Sequence, residues 1–458
     1  MPMPASSTAL RTFQWGAEVS NAQGTYTVAA APTAGDTMTI GGTVYTFKTT
    51  AASAGDIGLA SGTLATIKLN IVAAINGTDG LNTPNPCVLA AAFVGNVMTL
   101  TSRVAGVGAA GPPQTGNSIT TTESMTSGSN TVQQAALTGG SGTRGTAVAA
   151  TSKIVTEGID FQPTDMVYRP LLAKGLLLAN RGNEQVIARG TKWTMPDSPL
   201  NFEQAQHWFS FITSNYVFNA GTPNTWTFNW VPTNDPSPYS WSFQRRLSDG
   251  TNVNDVKFAY GMMSQLTIKT AQDKPVLIGA TGFARRIQSG AITGNLSMPT
   301  PEIPASAQVT LYIDTTWAGL GGTAINAQVY QTTTTITSGL SPLVTSPGRT
   351  DLDFGTHLID PSKVTIGLQA LMLVSPGAQY DTEKAAAEAQ TLRAVRLKIA
   401  GTGTSEIDVD MLMKHKAGSL FEVGDMQGQD IVTLDLVGST DGTNFLRLIA
   451  KNAVSTLA

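Results

Sequence analysis

One stretch of 120 residues, Gly24 to Thr143, contains none of the chain's seven tryptophans and only seven charged residues: Asp36, Lys48, Asp56, Lys68, Asp79, Arg103 and Glu123. The rest of the 458-residue chain carries all the others of its 28 basic and 31 acidic residues. A shift that abrupt, so near the N-terminus, reads as one domain inserted into another. The chain opens with the apolar segment Leu10-Arg-Thr-Phe-Gln-Trp15, leaves for a Gly/Ala/Thr-rich excursion, and returns at Arg144-Gly-Thr-Ala-Val148. The expected organisation is a first host module of residues 1–23 and 144–300, an insert of 24–143, and a second host module of 301–458. The Pro-rich Met298-Pro-Thr-Pro-Glu-Ile-Pro304 marks the boundary between the two host modules.

Charged residues make up 13% of the chain, against about 25% in ordinary soluble domains. Low charge with many Thr, Val and Gly points to a mainly β fold, because β-branched side chains pack well on pleated surfaces. It also suits a chain that covers its flanks with copies of itself, since interface cores are depleted in charge. A net charge of −3 argues against nucleic acid as a tightly bound partner, which needs a basic footprint. Cys87 is alone, so there is no disulfide framework within the chain, and a small buried thiol is expected. The start, Met1-Pro-Met-Pro-Ala-Ser-Ser7, lacks the basic and apolar regions of a secretory signal. No stretch approaches the ~18 apolar residues of a membrane span. The sequons at Asn76 and Asn295 therefore carry no weight.

Within the insert, Thr37–Ile40 and Thr43–Phe47 flank Gly41-Gly42, a two-residue hairpin signal. Leu64, Ile67, Ile71, Val72 and Ile75 form one helical stripe ending at Asn76-Gly77. A second hairpin is expected from Val88–Phe93 and Val97–Thr101 around Gly95-Asn96. The host resumes with a strand over Lys153–Ile159 and a helix over Asn201–Thr213, buried through Phe202, Ala205, Trp208, Phe209 and Ile212. Trp226-Thr-Phe-Asn-Trp230 and Tyr239-Ser-Trp-Ser-Phe243 alternate strictly and are expected to pair across the turn-rich 232–238. Further strands are expected at Asp255–Tyr260 and Met263–Thr270, with a pair inside Pro275–Arg286 around Gly282. Beyond the proline boundary, strands are expected at Val309–Ile313, Ala327–Thr335, Lys363–Val374, Leu392–Ile399, Glu406–Met413, Ile431–Val437 and Phe445–Ile449. A helix is expected at Asp381–Gln390. Two strand-rich blocks with about one helix each suggest a duplication.

Chemical motifs are sparse. Gly106-Val-Gly108-Ala-Ala-Gly111 matches a dinucleotide fingerprint by letters, but Pro112-Pro113 follows where a helix must open. His207, His357 and His415 are not at metal-ligand spacing from each other or from Cys87, and His207 reads as a structural residue of its helix. Asp351/Asp353 and Asp408/Asp410 are paired-carboxylate candidates by letter, but i, i+2 pairs on strands more readily face solvent or a channel. No catalytic, cofactor or metal site is expected, and the protein reads as a non-enzyme. In Glu406-Ile-Asp-Val-Asp410-Met, period two places Glu406, Asp408 and Asp410 on one face, either solvated or lining a pore. From Gly401 to Ala458 eight acids face four bases. The pairs Arg245-Arg246 and Arg285-Arg286 are candidates to meet such acids across a subunit boundary, or lie on the surface.

Together these residues resemble a phage tail tube protein. Leu10-Arg-Thr-Phe-Gln-Trp-Gly-Ala-Glu18, continued at Thr143-Arg-Gly-Thr-Ala-Val-Ala-Ala-Thr151, looks like the usual start of such subunits. The later order of short helix, aromatic strands and Gly279-Ala-Thr-Gly-Phe-Ala-Arg-Arg286 looks similar too. The insert is similar to a small module of several phage tail and baseplate proteins, through Asp36-Thr-Met-Thr-Ile-Gly-Gly-Thr-Val-Tyr-Thr-Phe47, Ala73-Ala-Ile-Asn76 and Gly116-Asn-Ser-Ile119. The host is long for one tube module. The resemblance implies tail-tube-like β-sandwich or barrel modules with short flanking helices, plus an inserted small α+β domain on the outer surface.

It further implies stacked rings, as a trimer of double modules or a hexamer, closed into a β-lined channel through which DNA passes without specific binding. The partners would be the chain itself and other tail proteins (tape measure, terminator, baseplate or tip). The place would be the virion tail, reached from the host cytoplasm, with no cofactor and no membrane. The competing reading is another tail or baseplate structural protein, or a glycan-binding adhesion module using exposed aromatics. Burial of Trp226, Trp230 and Trp241 would count against that reading.

Overall fold

In the computed structural model the chain is mainly β, and its sheets are antiparallel apart from one short parallel pair. The structure describes residues 10–457 except 60–61, 127–129, 133–134, 169–184, 232–235, 237, 249–252, 295, 299, 326–328, 345–351, 375–377, 402, 417–422 and 427. Asp351 and much of the proline-rich connection at 232–238 thus lie outside the described residues.

The first strand, β1 (Leu10–Ala17), belongs to the host. The excursion then builds its own core. One sheet joins β2 (Asn21–Val28), β6 (Val88–Ala90), β7 (Val97–Ala105) and β9 (Asn130–Val132). The other joins β3 (Thr37–Ile40), β4 (Thr43–Lys48), β5 (Asp56–Gly58) and β8 (Thr121–Ser124). Gly41 and Gly42 have φ of 59° and 85°, the left-handed pair that a two-residue hairpin requires. Helix α1 (Leu64–Asn76) starts where the Thr63 side chain accepts the Thr66 N–H and stops at Gly77, whose φ of 68° lets its N–H close on the last carbonyls. Ile67, Ile71 and Ile75 of α1 pack with Tyr26, Met38, Phe47 and Leu100 in a cluster separate from the host core. This sheet begins at Asn21, three residues before the composition changes. Its two chain ends touch: Ser20 N donates to Ser141 O at 3.1 Å.

The host continues with β10 (Ser152–Lys153), β11 (Asp160–Pro163), β12 (Met166–Tyr168), β13 (Gln185–Ala188), β14 (Thr191–Pro199) and helix α2 (Ala205–Ser210). Then come β15 (Tyr216–Asn219), β16 (Asn224–Trp230), β17 (Trp241–Ser248), β18 (Val253–Ala271), β19 (Leu277–Ala284) and β20 (Gln288–Ser289). The last part holds β21 (Val309–Asp314), β22 (Val329–Leu343), β23 (Thr356–Leu373), helix α3 (Ala378–Glu388), β24 (Arg393–Ala400), β25 (Glu406–His415), β26 (Val423–Met426), β27 (Gln429–Gly438) and β28 (Leu446–Asn452).

These strands form a sandwich. The front sheet runs β11-β14-β19-β18-β22-β23-β27-β26 and the back sheet β21-β24-β25-β28-β16-β15. The end of β25 also pairs with β27, closing one side of the sandwich. A single core joins both, with Leu266, Ile336, Leu368 and Leu434 from the front sheet and Leu397, Val409, Leu448 and Phe228 from the back. The two host blocks flanking the proline boundary therefore share sheets and core. The front sheet crosses between them at β18–β22 and the back sheet at β16–β28.

Several elements differ from expectation. The helix expected over Asn201–Thr213 is a 3-10 turn, Phe202–Gln204, followed by the six residues of α2; the Ser210 hydroxyl donates back to His207 O at 2.6 Å, a bond that favours helix ends. The two aromatic strands are not partners. The borders of β17 are taken by β1 and β18, and those of β16 by β15 and β28. Their aromatics still meet the core: Trp241 and Phe243 join Trp15, Trp193, Trp208 and Phe211 in one cluster. The strands expected at Asp255–Tyr260 and Met263–Thr270 are one 19-residue strand, because Tyr260 (φ 58°) absorbs the break while β18 passes from the β1–β17 ribbon into the front sheet. The pair expected within Pro275–Arg286 is the single strand β19: Gly282 lies flat in it, where an added Cβ would strike Met262 O.

Candidate functional site

The outer face of the front sheet is polar and ordered in rows. Register brings Thr194, Thr281, Gln265, Thr337 and Thr365 into one row across five strands. The next row is Gly279, Thr267, Thr335, Gly367 and Val437, and the third Leu277, Lys269, Thr333, Gln369 and Asp435. The residues between them along each strand, such as Leu266, Ile268, Ile336, Ile366 and Leu368, are buried in the sandwich. Threonine serves both needs, a β-branched side chain that favours the strand and a neutral hydroxyl toward solvent. The charges in these rows are compensated: Lys269 pairs with Asp197 at 2.6 Å and Asp435 with Lys416 at 3.3 Å. Where Gly279 leaves the sheet bare, Thr194, Asp197, Gln265, Thr267 and Thr281 line a shallow groove of about 350 Å³.

The two borders of this sheet are short strands. β11 pairs only with β14, and β26 only with β27, among the described residues. Met166, Val167 and Ile187 are exposed on the short β12–β13 pair, and Leu343 and Leu358 near the far end of the long β22–β23 pair. Val423 and Val437 are exposed beside the opposite border.

Glu406, Asp408 and Asp410 lie on one face of β25, as alternation requires, but they form neither a solvated face nor a bare acidic wall. Cations on both neighbouring strands pair with Glu406 and Asp410. Arg396 Nε and Nη2 donate to Asp410 at 2.6 and 2.9 Å, and Arg447 Nε and Nη2 donate to the same carboxylate at 2.7 and 2.6 Å. Lys398 and Lys451 hold Glu406 at 2.6 and 2.5 Å. Burial works to raise the Glu406 carboxyl, but the bonds from Lys398 and Lys451 outweigh it and hold the group below the usual range. Asp410 is fully buried and Asp408 nearly so. What faces outward is a fringe of half-buried basic stems, with the Arg447 guanidinium 5.2 Å from the Trp317 ring.

The four candidate arginines also have partners within the chain. Arg246 forms a two-pronged pair with Asp255 at 2.8 and 2.7 Å, and the Arg245 guanidinium lies 4.7 Å from the Phe161 ring. Arg285 donates to Gly145 O and lies over Tyr260, and Arg286 meets the buried Asp353 at 3.6 Å. Each staples segments of its own chain, so no acid from elsewhere is needed to account for them.

Two buried carboxylates escaped the sequence reading. Glu18 accepts from Gly145 N (2.6 Å), Tyr260 N (2.7 Å), Ser240 Oγ (2.8 Å) and Ser242 Oγ (2.9 Å), with burial raising its pKa against the pull of these four bonds. Glu383 of α3 accepts from both Arg393 and His415 Nε2, fastening the helix to β24 and β25. No sequence pattern marks either, because their partners come from distant strands.

His207 is buried, stacks on Trp15 with ring centroids 5.3 Å apart, and is pushed down to about 4 by desolvation. His357 lies 3.2 Å from the Tyr260 hydroxyl. Among the described residues no three metal-ligating side chains converge, and no helix is long and apolar enough to cross a membrane. Cys87 is buried, with its thiol raised by desolvation. The glycines at 106–111 precede a turn rather than a helix. Trp226, Trp230 and Trp241 are all buried, which leaves the sugar-binding reading without their rings as a platform. In comparisons with known proteins, no family model matches the chain and no curated sequence matches it.

Proposed function

We propose that this chain is the subunit of a self-assembling tube of the phage tail, with the front sheet as its wall. The observation that carries the reading is the front sheet itself: eight antiparallel strands, an outer face mostly of neutral hydroxyls and amides, and at each border a strand whose outer edge has no partner among the described residues. Seven successive antiparallel pairings set the two border strands antiparallel to each other. A head-to-tail neighbour laid against β26 by its own β11 continues the alternation without a break, and ring closure removes exposed edges. At ~4.8 Å per strand each subunit spans about 38 Å of wall. Three copies then give a ring of about 115 Å circumference and about 37 Å backbone diameter, before strand tilt widens it. That fits a trimer passing duplex DNA once side chains line the bore, each subunit contributing one sandwich built by both host blocks.

The chemistry of the face supports passage. A basic wall would hold a polyanion through counterion release. Hydroxyl rows with locally paired charges give it nothing to bind tightly, so this face replaces the 406–410 strand as the lumen assignment. The other tail proteins (tape measure, terminator, baseplate or tip) would meet the ends of the tube, and the insert would stand outside it in the virion tail.

Negative-stain electron microscopy of the purified chain tests the reading. Rings or hollow tubes are expected; a chain that stays a monomer at high concentration overturns it.

A further inference from the structure

The back sheet contains a charge arrangement that is incomplete at one position. Register sets Arg396 and Arg447 on either side of Asp410, and Lys451 beside Glu406. Asp408, between those two acids, has Lys398 on one side and Ile449 on the other. Lys398 turns away to Glu406. Four cations are thus shared two and two between the flanking acids, and Asp408 is left over. Its side chain is 3% exposed, and its Oδ1 is shut from solvent with no hydrogen-bond partner.

We propose that Asp408 is a proton-operated switch in the β24–β25–β28 face: protonated it lets the three strands close around it, and ionised it loosens them. An unpaired buried carboxylate is costly to keep charged, and the neutral acid removes that penalty. The groups facing it are Glu406 and Asp410 on its own strand, Arg396 and Lys398 on β24, and Arg447 and Lys451 on β28, with Tyr312 of β21 beyond Lys398. Burial raises the Asp408 carboxyl, Glu406 and Asp410 raise it further, Arg396 and Lys398 pull back, and the balance lies at about 6. Because the folded value lies above that of an unfolded aspartate, the stabilisation is complete in acid and is lost as pH rises through about 6. The inference does not depend on the tube reading, since it concerns the fold of one chain.

The test compares thermal unfolding of the full-length wild type and Asp408→Asn between about pH 3 and about pH 8, from below the unfolded aspartate's pKa to well above the folded one. Asparagine copies the protonated acid. The midpoints are expected to agree at the acid end, with the variant ahead by a few degrees at the alkaline end. His207 titrates alike in both chains and drops out of the difference. A gap that does not change with pH, or a wild type that is the more stable above neutrality, overturns the proposal. Ile449→Lys supplies the missing cation across from Asp408 and provides an independent reading if Asp408→Asn does not fold. It should abolish most of the alkaline loss, and a pH profile identical to the wild type's would refute the switch.

Discussion

At the residue scale, Glu18 shows how much of this fold depends on groups that no local pattern reveals. Its four donors are all neutral, and two are backbone N–H groups from segments 127 and 242 residues away. It stands at the point where the host hands the chain to the insert and receives it back, so it ties β1 to the return segment, to β17 and to β18. Removing the acceptor strands several buried donors, each costing about 1–3 kcal/mol. Glu18→Ala is therefore expected to destabilise the chain by on the order of 3 kcal/mol or more in urea unfolding. Glu18→Gln keeps one oxygen but turns an amide toward a backbone N–H, and should fall between. An alanine variant within experimental error of the wild type would show that water replaces the carboxylate. The acids of β25 teach the complementary lesson. Alternation placed Glu406, Asp408 and Asp410 on one face correctly, yet it was silent about the bases opposite them. Arg396, Lys398, Arg447 and Lys451 lie on strands that meet β25 only in three dimensions.

At the element scale, period-two segments such as Glu406–Met413 and Ile431–Val437 are legible as strands, and the Gly41-Gly42 turn and the α1 C-cap at Asn76-Gly77 are legible as well. Their chemistry is local, set by φ values and side-chain spacing. Pairing was not legible, because it depends on which borders remain free after other strands have docked. β28 is the clearest case. The last strand of the chain lies between β25 and β16, so it completes a sheet begun more than two hundred residues earlier. Its last residue and the tail after it are held too: Asn452 Nδ2 donates to Phe202 O at 2.7 Å, and Trp226 Nε1 donates to Val454 O at 3.0 Å. A chain truncated after residue 445 would lose Leu446, Leu448 and Ala450 from the core and unpair β16. It should be insoluble or unfolded by circular dichroism. Removal of residues 21–140, by contrast, joins Ser20 to Ser141 where they already touch. That deletion exposes the seat of the insert, where the Tyr239 hydroxyl donates to Asn21 at 2.6 Å and the Ser214 hydroxyl to Arg103 O at 3.2 Å. A modest loss of stability with the host fold retained is expected. If the shortened chain fails to fold as completely as the β28 truncation, the insert is part of the host's folding unit.

At the scale of the whole molecule, the tube reading separates two surfaces that a globular protein would treat alike. The borders of the front sheet must join copies, whereas its hydroxyl rows must stay free. Lysine on an edge strand resists further pairing because strand addition would bury its charge. Val423→Lys combined with Asp425→Lys places two such residues on β26 without touching the core, since both positions are exposed. Thr267→Lys combined with Thr335→Lys places two lysines in the middle of the second row, on neighbouring strands. The edge variant adds one acid-to-base reversal, so Val423→Lys alone with Thr335→Lys alone gives the charge-matched comparison. The edge variants should keep the wild-type unfolding midpoint to within a degree or two, because exposed substitutions usually change stability by no more than about 0.5 kcal/mol, whereas the face double variant should lose more, since its two lysines face each other across β18–β22 at half-buried positions. The edge variants are expected to sediment as single chains, and the face variants to form tubes that retain nucleic acid at low salt and release it as salt rises. The opposite pattern, with tubes from the edge variants and single chains from the face variants, would mean that the hydroxyl rows are the contact between copies and that the bore, if there is one, lies elsewhere.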